Sequence, residues 1–187
     1  MKLQIVILWL ALWSMSGRSE AFRVDTTQTN TVVFFARATM GSFSGKTDQI
    51  TGVLKWDGKD TLNSSSVVVS VDLSSLDTGI GLRNKHMREK YLETDQYPTA
   101  RFKGKLVKWV KNESGLERVT IEGTLTIHGV EQPFTREVTV VNQGERYRVS
   151  ALFKLNITDF GIQQPRYLVV SMDPVVTVRL VFYMVPQ

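Results

Sequence analysis

From residue 31 onward, apolar and polar side chains alternate with period two, the pattern of strands that bury one face. The first run is Thr31 to Thr39, through Val32, Val33, Phe34 and Phe35, and the segment Gly41-Ser42-Phe43-Ser44-Gly45 after it predicts a bend. A second strand runs from Ile50 to Asp57, with Ile50, Gly52, Leu54 and Trp56 on one face and a turn at Asp57-Gly58-Lys59-Asp60. A third runs from Ser66 to Leu73, with Val67, Val69, Val71 and Leu73 in step. Between Gly79 and Thr94 the alternation stops, and Leu82, Arg83, Lys85, Met87, Arg88, Glu89, Lys90 and Leu92 predict one or two short helices. Pro98 returns the chain to extended backbone.

Alternation then resumes in a fourth strand, Thr99 to Val110, turned at Asn112-Glu113-Ser114-Gly115. The fifth, Arg118 to Ile127, and the sixth, Val130 to Val141, meet at a tight corner, His128-Gly129. Asn142-Gln143-Gly144-Glu145 leads into the seventh, Arg146 to Leu155. A loop from Asn156 to Tyr167 precedes the eighth, Val175 to Val185, which starts after Asp173-Pro174.

Eight strands joined mostly by short turns predict an all-β fold, an eight-stranded antiparallel up-and-down barrel with a short helical insert between strands three and four. Closure would leave no exposed edge. No linker or repeat divides the chain, so residues 22–187 read as one domain. Several strands are apolar on both faces, as at Val67-Val68-Val69 and Val175-Val176. Those extra positions predict cover by the helices, a homodimer contact, or a sandwich in place of a barrel. The interior of a small barrel is either packed or holds one small ligand, and periodicity alone fits both. Its inward positions are expected to include Phe34, Phe43, Leu54, Val69, Val71, Phe102, Leu106, Leu125, Phe134 and Phe153.

The N-terminus departs from this pattern. Lys2 is followed by an unbroken apolar run from Ile5 to Trp13 and then by small and polar residues ending in Ser19-Glu20-Ala21. This is the layout of a secretory signal peptide over residues 1–21, too short to span a bilayer comfortably. Its removal takes Lys2, Arg18 and Glu20 from a net charge of +5 and leaves +4. The chain has no cysteine, which excludes disulfides, thiolate metal sites and thiol nucleophiles and fits a bacterial periplasm. The remaining positive charge is spread along strands, as in Arg101, Lys103, Lys105, Lys108 and Lys111, which predicts a solvated face in place of a nucleic-acid groove.

Reactive chemistry is sparse. The two histidines, His86 and His128, have no metal-ligand spacing around them, so no metal site is expected. Gly79-Ile80-Gly81 lacks the third glycine of a dinucleotide loop, and Gly41 to Gly45 has Phe43 where a nucleophile elbow needs serine. No catalytic residue is assigned. Arg83 and His86 stand three apart, on one face of a helix, suited either to pinning the insert to the barrel or to meeting a ligand head group.

Read in order, several short strings carry a resemblance. They are Asp77-Thr78-Gly79, Arg83-Asn84-Lys85-His86-Met87, and Tyr97-Pro98 with Phe102 four residues on. Gly41-x-Phe43, Gly52, Gly123-Thr124-Leu125-Thr126-Ile127-His128-Gly129-Val130 and Asp159-Phe160-Gly161-Ile162 complete the set. Together they resemble the YceI-like family of polyisoprenoid-binding proteins over nearly the whole chain after the leader. The resemblance implies a lipocalin-like barrel with an elongated apolar cavity. It further implies a polyisoprenoid, such as the tail of a quinone, as the bound amphiphile, with export to the periplasm and no enzymatic activity. Two positions depart from the pattern. Ala36 to Met40 stands where many members carry a histidine, and Asn156-Ile157-Thr158 stands where many carry an arginine.

Overall fold

The computed structural model describes residues 20–56, 62–112, 115–167 and 169–187. Most of the expected leader, the Asp57 to Asp60 turn, and Glu113 and Ser114 lie outside these residues. The strands are β1 (Glu20–Val24), β2 (Thr31–Ala38), β3 (Gly41–Thr47), β4 (Ile50–Trp56), β5 (Ser66–Asp72), β6 (Thr99–Lys111), β7 (Leu116–Ile127), β8 (Val130–Asn142), β9 (Tyr147–Asn156), β10 (Arg166–Tyr167), β11 (Val170–Ser171) and β12 (Val175–Pro186). Helix α1 (Gly81–His86) runs into a π-helical turn (Met87–Tyr91). This is the insert expected between the third and fourth runs of alternation.

Two of the wall's eight strands are broken in the middle. β1 and β2 both pair antiparallel with β12, Phe22 to Val24 against Pro186 to Met184 and Thr31 to Phe35 against Val181 to Thr177. The break between them is an Asx turn. The buried Asp25 carboxylate accepts the Thr27 N–H at 3.0 Å and its hydroxyl at 2.6 Å, and these bonds hold its pKa below the ordinary value. Asn30 then continues the ladder with its side chain, its Oδ1 accepting the Tyr183 N–H at 3.0 Å. β3 and β4 form the matching broken partner, β3 pairing with β2 and β4 with β1. The ladder continues β4-β5-β6-β7-β8-β9-β12 and closes on β1, so the wall is an antiparallel eight-stranded barrel and the sandwich alternative is discarded.

Three sequence expectations are corrected. Gly41 to Gly45 does not bend the chain; it lies in β3, fully paired with β2, and the Phe34 ring covers Gly45 so closely that a Cβ there would sit 2.3 Å from it. The first strand begins earlier than Thr31, at Glu20, inside the segment read as the end of the leader. Lys111 is solvated as expected, with its side chain 71% exposed, but it does not lie on the face of Arg101 and Lys103. The β6–β7 register shifts between Leu106 and Lys108, which turns Trp109 toward the inside and brings Lys111 to the far rim of the cavity.

Side chains inside the barrel form two buried groups. One gathers Phe102, Leu106, Val119, Leu125, Phe134 and Val138 with Phe160 and Ile162. The other gathers Val24, Val32, Ile50, Phe182 and Met184 at the β1–β4–β12 closure.

Candidate functional site

Between these groups the barrel is hollow. Its interior is a cavity of about 1170 Å³, lined by the inward half of each strand's alternation. Val67, Val69 and Val71 come from β5, Val119, Ile121, Leu125 and Ile127 from β7, and Val176, Val178, Leu180, Phe182 and Met184 from β12. The ten positions expected inside (Phe34, Phe43, Leu54, Val69, Val71, Phe102, Leu106, Leu125, Phe134 and Phe153) all line it. Phe102, Phe134 and Phe153 step across the interior with edge-to-face contacts at 5.8 and 5.1 Å.

Apart from Arg136 in the middle of β8, polar groups are gathered at the ends. At the end that carries the insert, Arg83, His86 and Lys90 reach the cavity. At the far end stand Lys111, Glu117, Asn142 and Tyr147. There Glu117 Oε2 accepts the Trp109 Nε1–H at 2.7 Å, and Trp109 packs 5.4 Å from Trp56. Trp56 Nε1 is buried and has no hydrogen-bond partner among the described residues. Of these far-end residues Trp56 shares the face already read for its strand, whereas Trp109 and Lys111 were not foreseen, because the bulge before Lys108 reverses the phase of β6.

Residues 22–183 match the YceI-like domain family. The chain belongs to the YceI-like family. A UPF0312 protein of Vibrio cholerae is 30% identical over 126 residues, a match that spans 64% of this chain and 64% of that relative. A UPF0312 protein of Vibrio parahaemolyticus is 29% identical over 157 residues, spanning 79% and 80%. Among solved structures the fold matches BcnA of Burkholderia cenocepacia, with a TM-score of 0.68, 20% identity, and coverage of 86% of this chain and 98% of that one. It also matches a polyisoprenoid binding domain from Saccharophagus degradans, implicated in plant cell wall breakdown, with a TM-score of 0.69, 18% identity and coverage of 89% and 98%.

The YceI-like motif residues turn out to be joints around one end of the cavity. Asp77 exchanges backbone hydrogen bonds with Lys46 of β3, both at 2.9 Å. Its carboxylate accepts the Gly79 N–H at 2.8 Å and the Asn84 amide at 2.6 Å, in that order the causes that lower its pKa. The Thr78 N–H and hydroxyl both donate to Asn84 Oδ1. Arg83 donates to the Thr78 hydroxyl at 2.9 Å and carbonyl at 2.7 Å, and its guanidinium lies 4.5 Å over Phe43. Arg83 therefore pins the insert to β3, as one of the two expectations had it, and its side chain also lines the cavity. His86 is exposed at the cavity rim, with no hydrogen-bond partner among the described residues.

The remaining motif residues fasten the same end. His128 and Gly129 have φ of 52° and 74° and form the two-residue turn between the paired Ile127 and Val130. The Tyr97 ring covers Gly129, and His128 Nε2 meets Glu93 Oε2 at 2.6 Å, which ties the β7–β8 turn to the end of the insert. The Pro98 carbonyl accepts the Leu73 N–H at 2.8 Å. Gly123 faces Gly104 across the β6–β7 ladder, where neither position has room for a side chain. In the Asp159-Phe160-Gly161 loop, Asp159 accepts from Asn156 Nδ2, Phe160 enters the core, and Gly161 ends the turn with a φ of 72°. No group of residues able to hold a metal occurs among the described residues.

Proposed function

We propose that this protein is a non-enzymatic carrier that holds a polyisoprenoid chain, such as that of an isoprenoid quinone, or a similar amphiphile inside its barrel. The observation that carries this reading is the cavity of about 1170 Å³, apolar along most of its wall, with its polar groups gathered mainly at its ends. An extended hydrocarbon with a polar head matches that distribution. Each buried methylene contributes about 0.8 kcal/mol, so a five-carbon isoprene unit contributes about 4 kcal/mol gross. Several units reach micromolar affinity, about −8 kcal/mol, after the costs of association. Such binding needs length and apolar walls, not a reactive centre.

We further propose that the carrier works in the periplasm after removal of residues 1–21. The apolar run Ile5 to Trp13 and the small residues around Ala21 support export. Cleavage after Ala21 would forgo the β1 rungs Glu20–Trp56 and Ala21–Lys55 and keep those of Phe22 and Arg23.

Native mass spectrometry of the protein purified from a periplasmic fraction, before and after organic extraction, tests both statements. A stoichiometric apolar adduct removed by solvent, on a chain beginning at Phe22, is the expected result. A clean apo mass with no uptake of added quinone or polyprenol would overturn the carrier reading and favour an empty barrel that meets protein partners.

A further inference from the structure

Three separate segments meet around the cavity mouth at the insert end: the β2–β3 turn, α1 and the β10–β11 hairpin. Backbone bonds hold them together. The Thr39 N–H donates to the Ser171 carbonyl at 3.0 Å and Ala38 bridges Met172, which ties the β2–β3 turn to β10–β11. The Lys46–Asp77 bridge and the Arg83–Phe43 contact tie the same hairpin to the insert. Each of the three tips carries a large apolar side chain in solvent: Met40 is 79% exposed, Leu82 66% and Val169 86%. Such side chains gathered on the rim of an apolar cavity mark an interaction site.

The insert that carries Leu82 has an excess of positive charge. Over residues 79–92, Arg83, Lys85, Arg88 and Lys90 are opposed by Glu89 alone. Asp77 and Asp173 at this end accept hydrogen bonds from neutral N–H groups and keep their negative charge, and Glu93 and Asp95 follow the insert, so the positive excess belongs to the insert itself. Apolar tips beside an insert rich in Lys and Arg suit the headgroup boundary of an anionic bilayer. They suit a protein partner less well. The hole between the tips falls at the centre of the contact, where protein interfaces concentrate their binding energy.

We propose that the insert end of the barrel docks on the surface of an anionic membrane. Met40, Leu82 and Val169 enter the headgroup region, so the mouth faces the acyl layer and a lipid passes between bilayer and barrel without crossing water. The inference rests on the carrier reading above, but membrane docking is measured separately from loading.

The test is sedimentation with phosphatidylcholine vesicles, with and without phosphatidylglycerol, at low and high salt. Wild type is expected to partition at least tenfold more strongly onto the phosphatidylglycerol vesicles, and less as salt rises. Met40 and Val169 do not line the cavity. The double variant Met40→Glu, Val169→Glu is therefore expected to lose at least tenfold in partitioning and to load a polyprenol, read by native mass, as wild type does. Lys85→Glu, at an exposed helical position, gives an independent electrostatic reading with a several-fold loss. Wild type that stays in the supernatant with phosphatidylglycerol vesicles overturns docking, as do variants that sediment like wild type. Protein that sediments as expected but loads no lipid supports docking and overturns the carrier reading. Protein that loads but does not sediment overturns docking alone.

Discussion

The rings of Phe134 and Phe153 meet edge to face at 5.1 Å, across a stretch of the wall where β8 and β9 share no paired residues. Pairing between these strands covers Thr139 to Asn142 and stops at Ser150 on β9. Beyond it, side chains close the seam. Arg136 lies 4.8 Å over Phe134, and Gln132 Nε2 donates to the Asp159 carbonyl at 2.7 Å. Arg136 thus reaches the cavity while remaining exposed to solvent.

A seam without a backbone ladder opens more readily than the rest of the wall. In hydrogen exchange, amides of residues 151–156 that point toward β8 should exchange faster than those that point toward β12. Phe153→Ala should cost about 2–4 kcal/mol in urea unfolding and widen that contrast. Equal protection on the two sides of β9 would show that the seam is as stable as a ladder.

Gly123 leaves no room for a side chain. A Cβ there would lie 2.2 Å from the Lys103 carbonyl oxygen and 2.5 Å from the Gly104 Cα, and both are backbone atoms that a rotamer change does not move. Gly123→Ala should cost about 3 kcal/mol or more. Gly144→Ala, in a turn with open space and a φ of 85°, should cost about 1 kcal/mol from backbone conformation alone. Paired urea melts separate the two costs, and equal values would contradict the close approach of β6 and β7.

Asp77 links stability to pH. Its hydrogen bonds from Gly79 and Asn84 hold its pKa below the ordinary value of 3.8. A lowered native pKa contributes stability that is fully present above the unfolded value and is lost as pH falls through the native one. The thermal midpoint should therefore stay level from neutral pH to about pH 5 and fall below the ordinary carboxylate range. Asp77→Asn should melt lower at pH 7, and its difference from wild type should shrink on acidification. A difference that stays constant with pH would assign the effect to shape in place of charge.

Trp56 and Trp109 both line the far end of the cavity, and the other tryptophans, Trp9 and Trp13, lie in the segment expected to be removed. A quinone held in the barrel should quench the fluorescence of the mature protein saturably. Leu125→Arg places a charge among the buried residues of the cavity wall and should abolish that quenching while circular dichroism shows the fold retained. Quenching that persists in a folded Leu125→Arg protein would place the quinone elsewhere.

Much of the barrel is legible in the chain because β4 to β9 and β12 place apolar residues at every second position over most of their length, even where β5 and β12 are apolar on both faces and β6 changes phase. β3 is not legible. Gly41-Ser42-Phe43-Ser44-Gly45 has no intrinsic strand preference, and it becomes a strand because β2 supplies the ladder and Phe34 supplies the missing side-chain cover. β1 is hidden by its position at the end of the apolar leader. The short β10–β11 hairpin falls in and just beyond the expected loop, since two-residue strands carry no periodic signal.

By itself the sequence determined the strand period, the helical interruption, the absence of thiol chemistry, and which side chains turn inward over most of the wall. These are local properties, set by the two-residue repeat of extended backbone and by composition. Only the tertiary structure decided that the inward side chains stop short of filling the barrel, that a bulge swings Trp109 inside, that β8 and β9 part, and that Met40, Leu82 and Val169 converge on one rim. Each of those depends on how distant strands curve and register against one another. Pairwise alternation leaves that geometry open, and closing the eight-stranded ring settles it.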